Sequence, residues 1–359
     1  MRIAINGLAV TRDMTGIGRT TVHALRAMLR QDTTDEFLLY LPSDAPENLG
    51  LAAANLRLVP TDVSLSQPIR STLFGEFQLP LRLREEKIDV YYAPSFLLPA
   101  FAGAGGEVIC IHDLAWRIVP QSKSFRFRAY MNRRLPSTLK RAKRIVCVSN
   151  ATKRDLLEHY GERVREDRVR VIPNGVDLSI FRPDPADRPD ETPYLAVVGN
   201  QDPRKNIGTL LEAFPIFRAR LRAFRLVMVG PGQPPAGKPA AVDVLGYLDE
   251  RALASVYRRA VMVVQPSLYE GFGLPVLEAM ACGTPVACAD IEVFREVAGD
   301  CARYFDPRAS DSIAKTMEEV AKDDALRAGM CARGLERVRR FSWDETARRL
   351  LQTFREAVS

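Results

Sequence analysis

Several features that would announce a function directly are scarce in these 359 residues or missing from them. No stretch approaches the roughly 20 consecutive apolar residues that cross a bilayer, so no transmembrane segment is expected. The opening Met1-Arg2-Ile3-Ala4-Ile5-Asn6 lacks a charged leader, a long apolar core and a small-residue cleavage site. A chain without a secretory signal, residing in the cytoplasm, is therefore expected. Histidine occurs three times, at His23, His112 and His159, and the six cysteines form no C-x-x-C pair. A zinc site has almost nothing to build on, and the thiols read as small buried hydrophobes. No Asp-x-Asp occurs, so the simplest carboxylate cradle for a metal-bound diphosphate is absent and no metal cofactor is expected. The absence of G-x-G-x-x-G with a downstream acidic residue argues against a dehydrogenase. No internal repeat at solenoid periods is present.

What is present is an ordinary globular composition, 47% hydrophobic and 26% charged, on a chain long enough for two domains. The net charge of +7 is uneven. Residues 1–170 carry 26 Lys and Arg against 18 Asp and Glu, whereas residues 171–359 carry 25 against 26. The first half is the basic half. Its densest part, residues 122–144, holds nine basic residues and no acid, interleaved with Phe125, Phe127, Tyr130, Met131 and Leu135. That pattern fits a peripheral contact with an anionic membrane or a lipid-linked acceptor, and equally a solvated, partly packed helix. No nucleic-acid module accompanies it, so nucleic acid is not an expected partner.

Strand and helix signals alternate along both halves. In the first, strands are expected at Arg2–Asn6, Phe37–Leu41, Leu56–Val59, Ile88–Tyr92, Val108–Ile111, Ile145–Val148 and Val169–Ile172. Helices are expected at Gly18–Arg30, Ile69–Arg84, a region reaching Lys143, and Asn150–Tyr160. Ser149 can cap the last of these and Gly161 can end it. Five prolines in residues 173–193 mark a linker. The second half resumes with strands at Tyr194–Val198, Arg225–Val229, Val242–Leu245, Val261–Gln265 and Pro285–Cys288. Its helices are Ile207–Leu221, Glu250–Arg259 and Pro275–Cys282, and helices fill the rest to Val358. A Pro- and Gly-rich surface loop spans residues 231–239. Strands joined by helical crossovers form parallel sheets covered on both faces. Ligands bind at the carboxyl ends of such strands, so two such domains would share a cleft.

The most informative segment is Glu270-Gly271-Phe272-Gly273-Leu274-Pro275-Val276-Leu277-Glu278, which follows a strand and opens a helix. Gly271 and Gly273 let backbone approach a ligand. N–H groups near Gly273, Leu274 and Val276 would face the positive helix end, a natural phosphate site. Glu278 can reach a ribose diol and Glu270 can accept from a sugar hydroxyl. Read alone, the same residues fit a Gly-rich loop with two solvated glutamates. Gly199-Asn200-Gln201-Asp202-Pro203-Arg204-Lys205-Asn206 also joins a strand to a helix. There Arg204 and Lys205 can clamp a diphosphate and neutralise it as it leaves, or sit in a solvated loop that Asn206 closes as an N-cap. Thr15-Gly16-Ile17-Gly18-Arg19 is either a tight turn or a loop admitting acceptor and phosphate. His112, closing a strand, can donate to a sugar hydroxyl or be a satisfied core histidine. His23 and His159 read as structural.

Together these segments resemble the group 1 family of retaining nucleotide-sugar glycosyltransferases, over nearly the whole chain. The resemblance is carried by Glu270–Pro285 (EGFGLPVLEAMACGTP), Val171–Asp177 with Phe181, Ile111–Leu114 and Val148-Ser149. Pro203-Arg204-Lys205-Asn206 resembles the mannosyltransferase-like branch, which builds O-antigen, capsule and exopolysaccharide chains. The fold so implied is α/β of the GT-B type, two facing Rossmann-like domains with parallel sheets and an interdomain cleft. Residues 1–172 would bind the acceptor and 194–342 the nucleotide sugar, joined by linker 173–193, with helix 343–359 packing back on the first domain. The resemblance implies that Glu278 holds the ribose, Glu270 the donor hydroxyls, and Arg204 and Lys205 the diphosphate. His112 would contact the donor sugar, and Gly16 would line the phosphate side. Gly246 and Tyr247 would lie near the base, and Gly271, Phe272, Gly273 and Leu274 would form the donor loop. Many relatives carry arginine where this chain has Asn200, so Arg204 would supply that charge. The reading is a metal-independent retaining hexosyltransferase, with GDP-mannose the preferred donor and a glycan or lipid-linked acceptor, working at the inner face of the cell membrane. A UDP-sugar transferase, an epimerase or phosphorylase on the same architecture, and a non-catalytic nucleotide-sugar-binding subunit are the rivals.

Overall fold

A computed structural model describes residues 1–12, 14, 16–64, 66–187, 190–231 and 239–359. The expected turn residue Thr15 and most of the expected loop at 231–239 lie outside the described residues. The chain divides into two compact units. The first comprises residues 1–114, 125–175 and 343–359, and the second residues 115–124 and 176–342.

The first unit is a seven-stranded, wholly parallel sheet. Its strands are β1 (Arg2–Asn6), β2 (Glu36–Leu41), β3 (Leu56–Pro60), β4 (Val90–Ala93), β5 (Gly106–Ile111), β6 (Arg144–Cys147) and β7 (Val169–Val171), in the order β3-β2-β1-β4-β5-β6-β7. β4 and β5 are buried along their whole length, as a sheet covered on both faces requires. Helix α1 (Gly16–Gln31) follows β1, and Gly18 within it is sterically demanded because a Cβ there would meet the Ala9 carbonyl oxygen at 2.4 Å. The expected single helix at 69–84 is three segments in one run: α2 (Pro68–Leu73), a π turn (Phe74–Gln78) and α3 (Leu79–Glu85). α4 (Ala115–Ile118) belongs to the second unit, and α5 (Phe125–Arg141) and α6 (Asn150–Tyr160) to the first. Ser149 caps α6 by accepting from the Thr152 N–H at 3.0 Å. Gly161 does not end that helix in a left-handed turn; its φ of −54° starts a 3₁₀ turn instead.

The second unit is a six-stranded parallel sheet in the order β10-β9-β8-β11-β12-β13. The strands are β8 (Tyr194–Val198), β9 (Arg225–Val229), β10 (Val242–Val244), β11 (Met262–Gln265), β12 (Val286–Ala289) and β13 (Arg303–Phe305). Its helices are α7 (Ile207–Arg220), α8 (Glu250–Arg259), α9 (Leu274–Ala281), α10 (Glu292–Ala298), α11 (Ser310–Lys322) and α12 (Asp324–Arg337). The edge strand β13 corrects the expectation that helices alone follow residue 288; at three residues it is too short for an alternating pattern to register. Residues 115–124, expected in the N-terminal domain, group here, where Lys123 pairs with Asp202 at 3.3 Å.

The terminal helix α13 (Trp343–Val358) belongs to the first unit. Trp343 stacks on His23 with centroids 5.2 Å apart, Thr346 donates to the Pro173 carbonyl, and Glu356 accepts from Arg144 and Arg170. Gly106 on β5 gives this helix room, since a Cβ there would lie 3.2 Å from that of Ala357.

In each sheet the strand order reverses at one place. β8, β9 and β10 run outward in one direction, and β11 then starts on the other side of β8. Loops leaving the carboxyl ends of β8 and β11 therefore diverge and open a crevice. In the first sheet the same reversal separates β1 from β4.

Candidate functional site

The reversal in the second sheet is where the two informative loops lie. The loop after β8 carries a 3₁₀ turn, Pro203–Lys205, whose first N–H groups are organised by Asp202; its carboxylate accepts from the Arg204 N–H at 3.1 Å. The Arg204 carbonyl in turn accepts from the Leu268 N–H at 2.8 Å, which ties this loop to the one after β11. Asn206 does not act as the expected N-cap. It sits at φ 55° and spends its side-chain amide on the carbonyls of Pro266 (3.1 Å) and Pro307 (2.6 Å), accepting from the Thr209 hydroxyl. It is a brace between loops.

This bracing brings Arg204, Lys205 and Glu270 together. Glu270 is buried and accepts from Lys205 Nζ at 2.5 Å, Arg204 Nη1 at 3.2 Å and the Ser267 hydroxyl at 2.8 Å. Gln265, the last residue of β11, donates to that hydroxyl at 3.1 Å. Burial by itself pushes the Glu270 pKa up, but the charges of Lys205 and Arg204 with the hydrogen bonds outweigh it and hold it below the ordinary glutamate value. Asp202 is likewise held low: burial raises it, and the Arg204 N–H with the charges of Arg204 and Lys123 prevails. The cluster is thus three cations against two ionised carboxylates, a locally positive site whose members are pre-paired.

Gly271-Phe272-Gly273 follows. Gly273 has φ 100°, and a Cβ there would press to 2.8 Å on the Phe294 ring, so both backbone and packing require glycine. Phe272 is buried edge-on against Phe341. Leu274 opens α9. Of the three N–H groups expected to face a ligand, that of Val276 closes on the Gly273 carbonyl at 3.1 Å; Gly273 and Leu274 remain as the donors of this helix end. Glu278 is buried on α9 and accepts from the Tyr257 hydroxyl of α8 at 2.9 Å. It does not join the Glu270 cluster.

Three glycines shape the neighbouring loop starts. Gly230, directly after β9, has φ 148°, and a Cβ would lie 2.2 Å from the Gly199 carbonyl oxygen after β8. Its N–H donates to the Gly246 carbonyl after β10 at 2.8 Å. Gly246 itself has φ 69°, and Tyr247 beside it is exposed. Gly199 gives space to the Lys205 stem, which would sit 3.4 Å from its Cβ.

His112 and Gly16 belong to the first unit. Gly16 is the exposed first residue of α1, and among the described residues nothing lies within 4 Å of its missing Cβ. The His112 Nε2 lies 2.8 Å from the Pro94 carbonyl oxygen. Only a protonated nitrogen can make that bond. Burial lowers the ring's pKa despite the Pro94 contact and the charge of Asp113. The neutral ring thus carries its proton on Nε2, satisfied by Pro94 as the core-histidine alternative has it, and offers Nδ1 as an acceptor. Among the described residues no group of three or more His, Cys, Asp or Glu side chains could hold a metal ion, and no helix is long and apolar enough to cross a membrane.

Two open grooves of about 640 and 600 Å³ share Asp190, Arg225 and Arg259 in their lining, the first at the amino ends of β8 and β9 and the second running along the edge strand β10 to Leu245. Their arginines are engaged by Asp190 and Asp243, and the first sits at the end of a parallel sheet opposite to where ligands bind. Sequence reading missed Ser267, Gln265, Tyr257, Lys123 and Gly230. Only Gly230 left a local signal, as a glycine ending a strand just as Gly199 does.

The family model for glycosyl transferases group 1 matches residues 181–337, and that for glycosyltransferase family 4 matches residues 14–180. The chain is 28% identical over 290 residues to the O-antigen chain mannosyltransferase B of Escherichia coli, covering 76% of each. It is 32% identical over 279 residues to a phosphatidyl-myo-inositol mannosyltransferase of Mycolicibacterium smegmatis, covering 74% of this chain and 69% of the other. Among solved structures, Anabaena HepE in complex with UDP and glucose superposes with a TM-score of 0.74 at 16% identity, covering 99% of both. The two Rossmann-like units, the loops at the sheet reversal and these similarities together place the chain in the group 1 glycosyltransferase family, GT-B in fold, in its mannosyltransferase-like branch.

Proposed function

We propose that this glycosyltransferase moves mannose from GDP-mannose to a hydroxyl of a glycan or lipid-linked acceptor in cell-surface polysaccharide synthesis, with retention at the anomeric carbon and without a metal. The observation that carries the reading is the buried Lys205–Glu270–Arg204 cluster at the β8/β11 reversal. Cations fixed there match a diphosphate leaving group, since charge that develops in the transition state meets groups already in place. Glu270 accepts from donor-sugar hydroxyls once the diphosphate has taken over its cations. Glu278 holds the ribose diol. The acceptor oxygen attacks the anomeric carbon from the face the diphosphate leaves. One C–O bond forms as the other breaks, and the acceptor proton passes to a diphosphate oxygen. With Nδ1 as an acceptor, His112 accepts a hydrogen bond from a hydroxyl of the donor sugar, whose proton stays on the sugar oxygen. Mannose is supported by the two mannosyltransferase relatives. A UDP-sugar is the second reading, supported by the ligand of the HepE structure. The chain acts at the inner face of the membrane, through residues 122–144.

The test is the anomeric proton of the product by NMR, with GDP-mannose, a mannose-terminated acceptor and EDTA. An α-mannosyl product supports every part of the reading. A β-product overturns retention, activity only with divalent ions overturns metal independence, and product from UDP-sugars alone overturns the donor.

A further inference from the structure

Gln265 ends β11 in the interior of the second sheet, after Met262-Val263-Val264, and none of it is exposed. A strand buried on both faces favours an apolar residue there. The amide instead donates from Nε2 to Ser267 Oγ at 3.1 Å. Its Oε1 is buried with no hydrogen-bond partner among the described residues. A buried acceptor left unmade lowers stability. An apolar side chain of the same length would avoid that loss, so folding alone does not account for the glutamine.

What the amide does is fix a proton. Ser267 is also fully buried, and both its neighbours are braced. The Pro266 carbonyl accepts from the Asn206 amide, and the Leu268 N–H donates to the Arg204 carbonyl. Rotation of the hydroxyl is the freedom that remains. Glu270 is held ionised and has no proton to give. The 2.8 Å contact between Ser267 Oγ and Glu270 Oε1 is therefore made by the single O–H of the serine. Towards Gln265 that oxygen can then only accept, so the amide must present its NH2 group and not its carbonyl. Gln265 locks the hydroxyl, and the hydroxyl is locked onto Glu270.

The partners of Glu270 differ in what a ligand can take from them. Lys205 and Arg204 are cations, and a diphosphate competes for both. Ser267 is neutral and buried, and an anion has no such claim on it. Glu270 Oε1 accepts from Lys205 and Ser267, whereas Oε2 accepts from Arg204 alone among the described residues. A carboxylate oxygen offers about two lone-pair positions, so Oε2 is the atom with room for a further donor.

We propose that Gln265 and Ser267 are positioning residues for Glu270. They form a two-bond relay that keeps the carboxylate in place when the diphosphate draws Lys205 and Arg204 away, and they leave Oε2 to accept from the donor sugar. The inference rests on the role of Glu270 proposed above and names what holds that residue during the reaction.

The test is initial-rate kinetics across pH on the full chain, with GDP-mannose and, on the second reading, UDP-glucose as donor, beside melting curves. Gln265→Met keeps the side-chain length and removes both amide atoms. It should lower kcat about tenfold and leave Tm equal to or above that of wild type. It should also move the acid limb of kcat, which reports the donor-bound enzyme, to higher pH. The sign follows from Glu270: a carboxylate that loses a hydrogen bond to its charged form protonates earlier as pH falls. Ser267→Ala should change kcat and the limb in the same way, and Ser267→Thr, which keeps the hydroxyl, should restore both. If Glu270→Gln keeps the wild-type kcat, the reading of Glu270 fails and the relay with it. If Glu270→Gln is inactive while Gln265→Met and Ser267→Ala keep the wild-type kcat and pH profile, the relay alone is refuted. A Gln265→Met variant that melts several degrees early with its acid limb unmoved shows a purely structural amide and also overturns the inference.

Discussion

Lys205→Met is the most discriminating single change, because it keeps the stem that packs on Gly199 and removes only the charge. At an effective dielectric of about 20, charges 2.5 Å apart attract by roughly 7 kcal/mol and charges 3.2 Å apart by roughly 5. Desolvation cancels most of both. Removing one partner of a buried pair usually costs about 3–5 kcal/mol. Here Arg204 stays beside Glu270, so a loss of about 1–3 kcal/mol is expected, a fall of several degrees in Tm. If Lys205 also stabilises the departing diphosphate, kcat should fall by about 10²–10³, the usual effect of deleting one pre-placed charge-stabilising group. The double variant Lys205→Met/Glu270→Gln removes both charges. It should recover part of the lost stability and none of the activity. The assay is initial-rate product formation beside a melting curve. A variant that melts early yet retains wild-type kcat would refute the reasoning and leave the pair purely structural.

Further outcomes follow from other parts of the second unit and from the first. Tyr257→Phe removes the hydroxyl that fixes Glu278, and Glu278→Ala the carboxylate itself. Both should weaken GDP about tenfold or more in calorimetry and leave the affinity for 2′,3′-dideoxy-GDP unchanged. Equal weakening of both nucleotides would remove the ribose role. Gly230→Ala should cost about 2 kcal/mol or more in urea denaturation, because both its φ and the Gly199 carbonyl forbid a Cβ; a neutral result would refute that packing. Asp32 is held down to about 2: burial raises it, but the N–H groups of Asp35 and Thr34 and the Thr34 hydroxyl prevail. A depressed folded pKa adds stability above the unfolded value near 3.8 and loses it as pH falls towards 2. Asp32→Ala should therefore cost about 1–2 kcal/mol at neutral pH, after allowing for screening. The difference from wild type should vanish in melts near pH 2, and a difference that persists there would contradict the assignment.

The sheet strands were legible because β1, β5, β8 and β11 are short apolar runs set between loop signals, and burial on both faces makes such runs conspicuous. The Glu270–Glu278 segment was legible because its glycines, proline and glutamates sit at a strand-to-helix junction. The partners of those residues were not. Ser267 reaches Glu270 and Gln265 reaches Ser267 within the short loop after β11, where a serine and a glutamine carry no spacing signal of their own; Tyr257 reaches Glu278 from 21 residues away through the packing of α8. The Pro94 partner of His112 was not legible either, since it lies 18 residues away in sequence. Asn206 looked like a cap because asparagine before an apolar helix usually is one, whereas tertiary bracing claims its amide here.

Calorimetric titration of the wild-type chain with GDP, UDP and ADP, each in EDTA, tests the central claim most directly. The account predicts that GDP binds and that Glu278→Ala weakens it about tenfold or more. Binding of UDP or ADP alone would contradict the donor, and no heat from any nucleotide would contradict a donor site at the β8/β11 reversal.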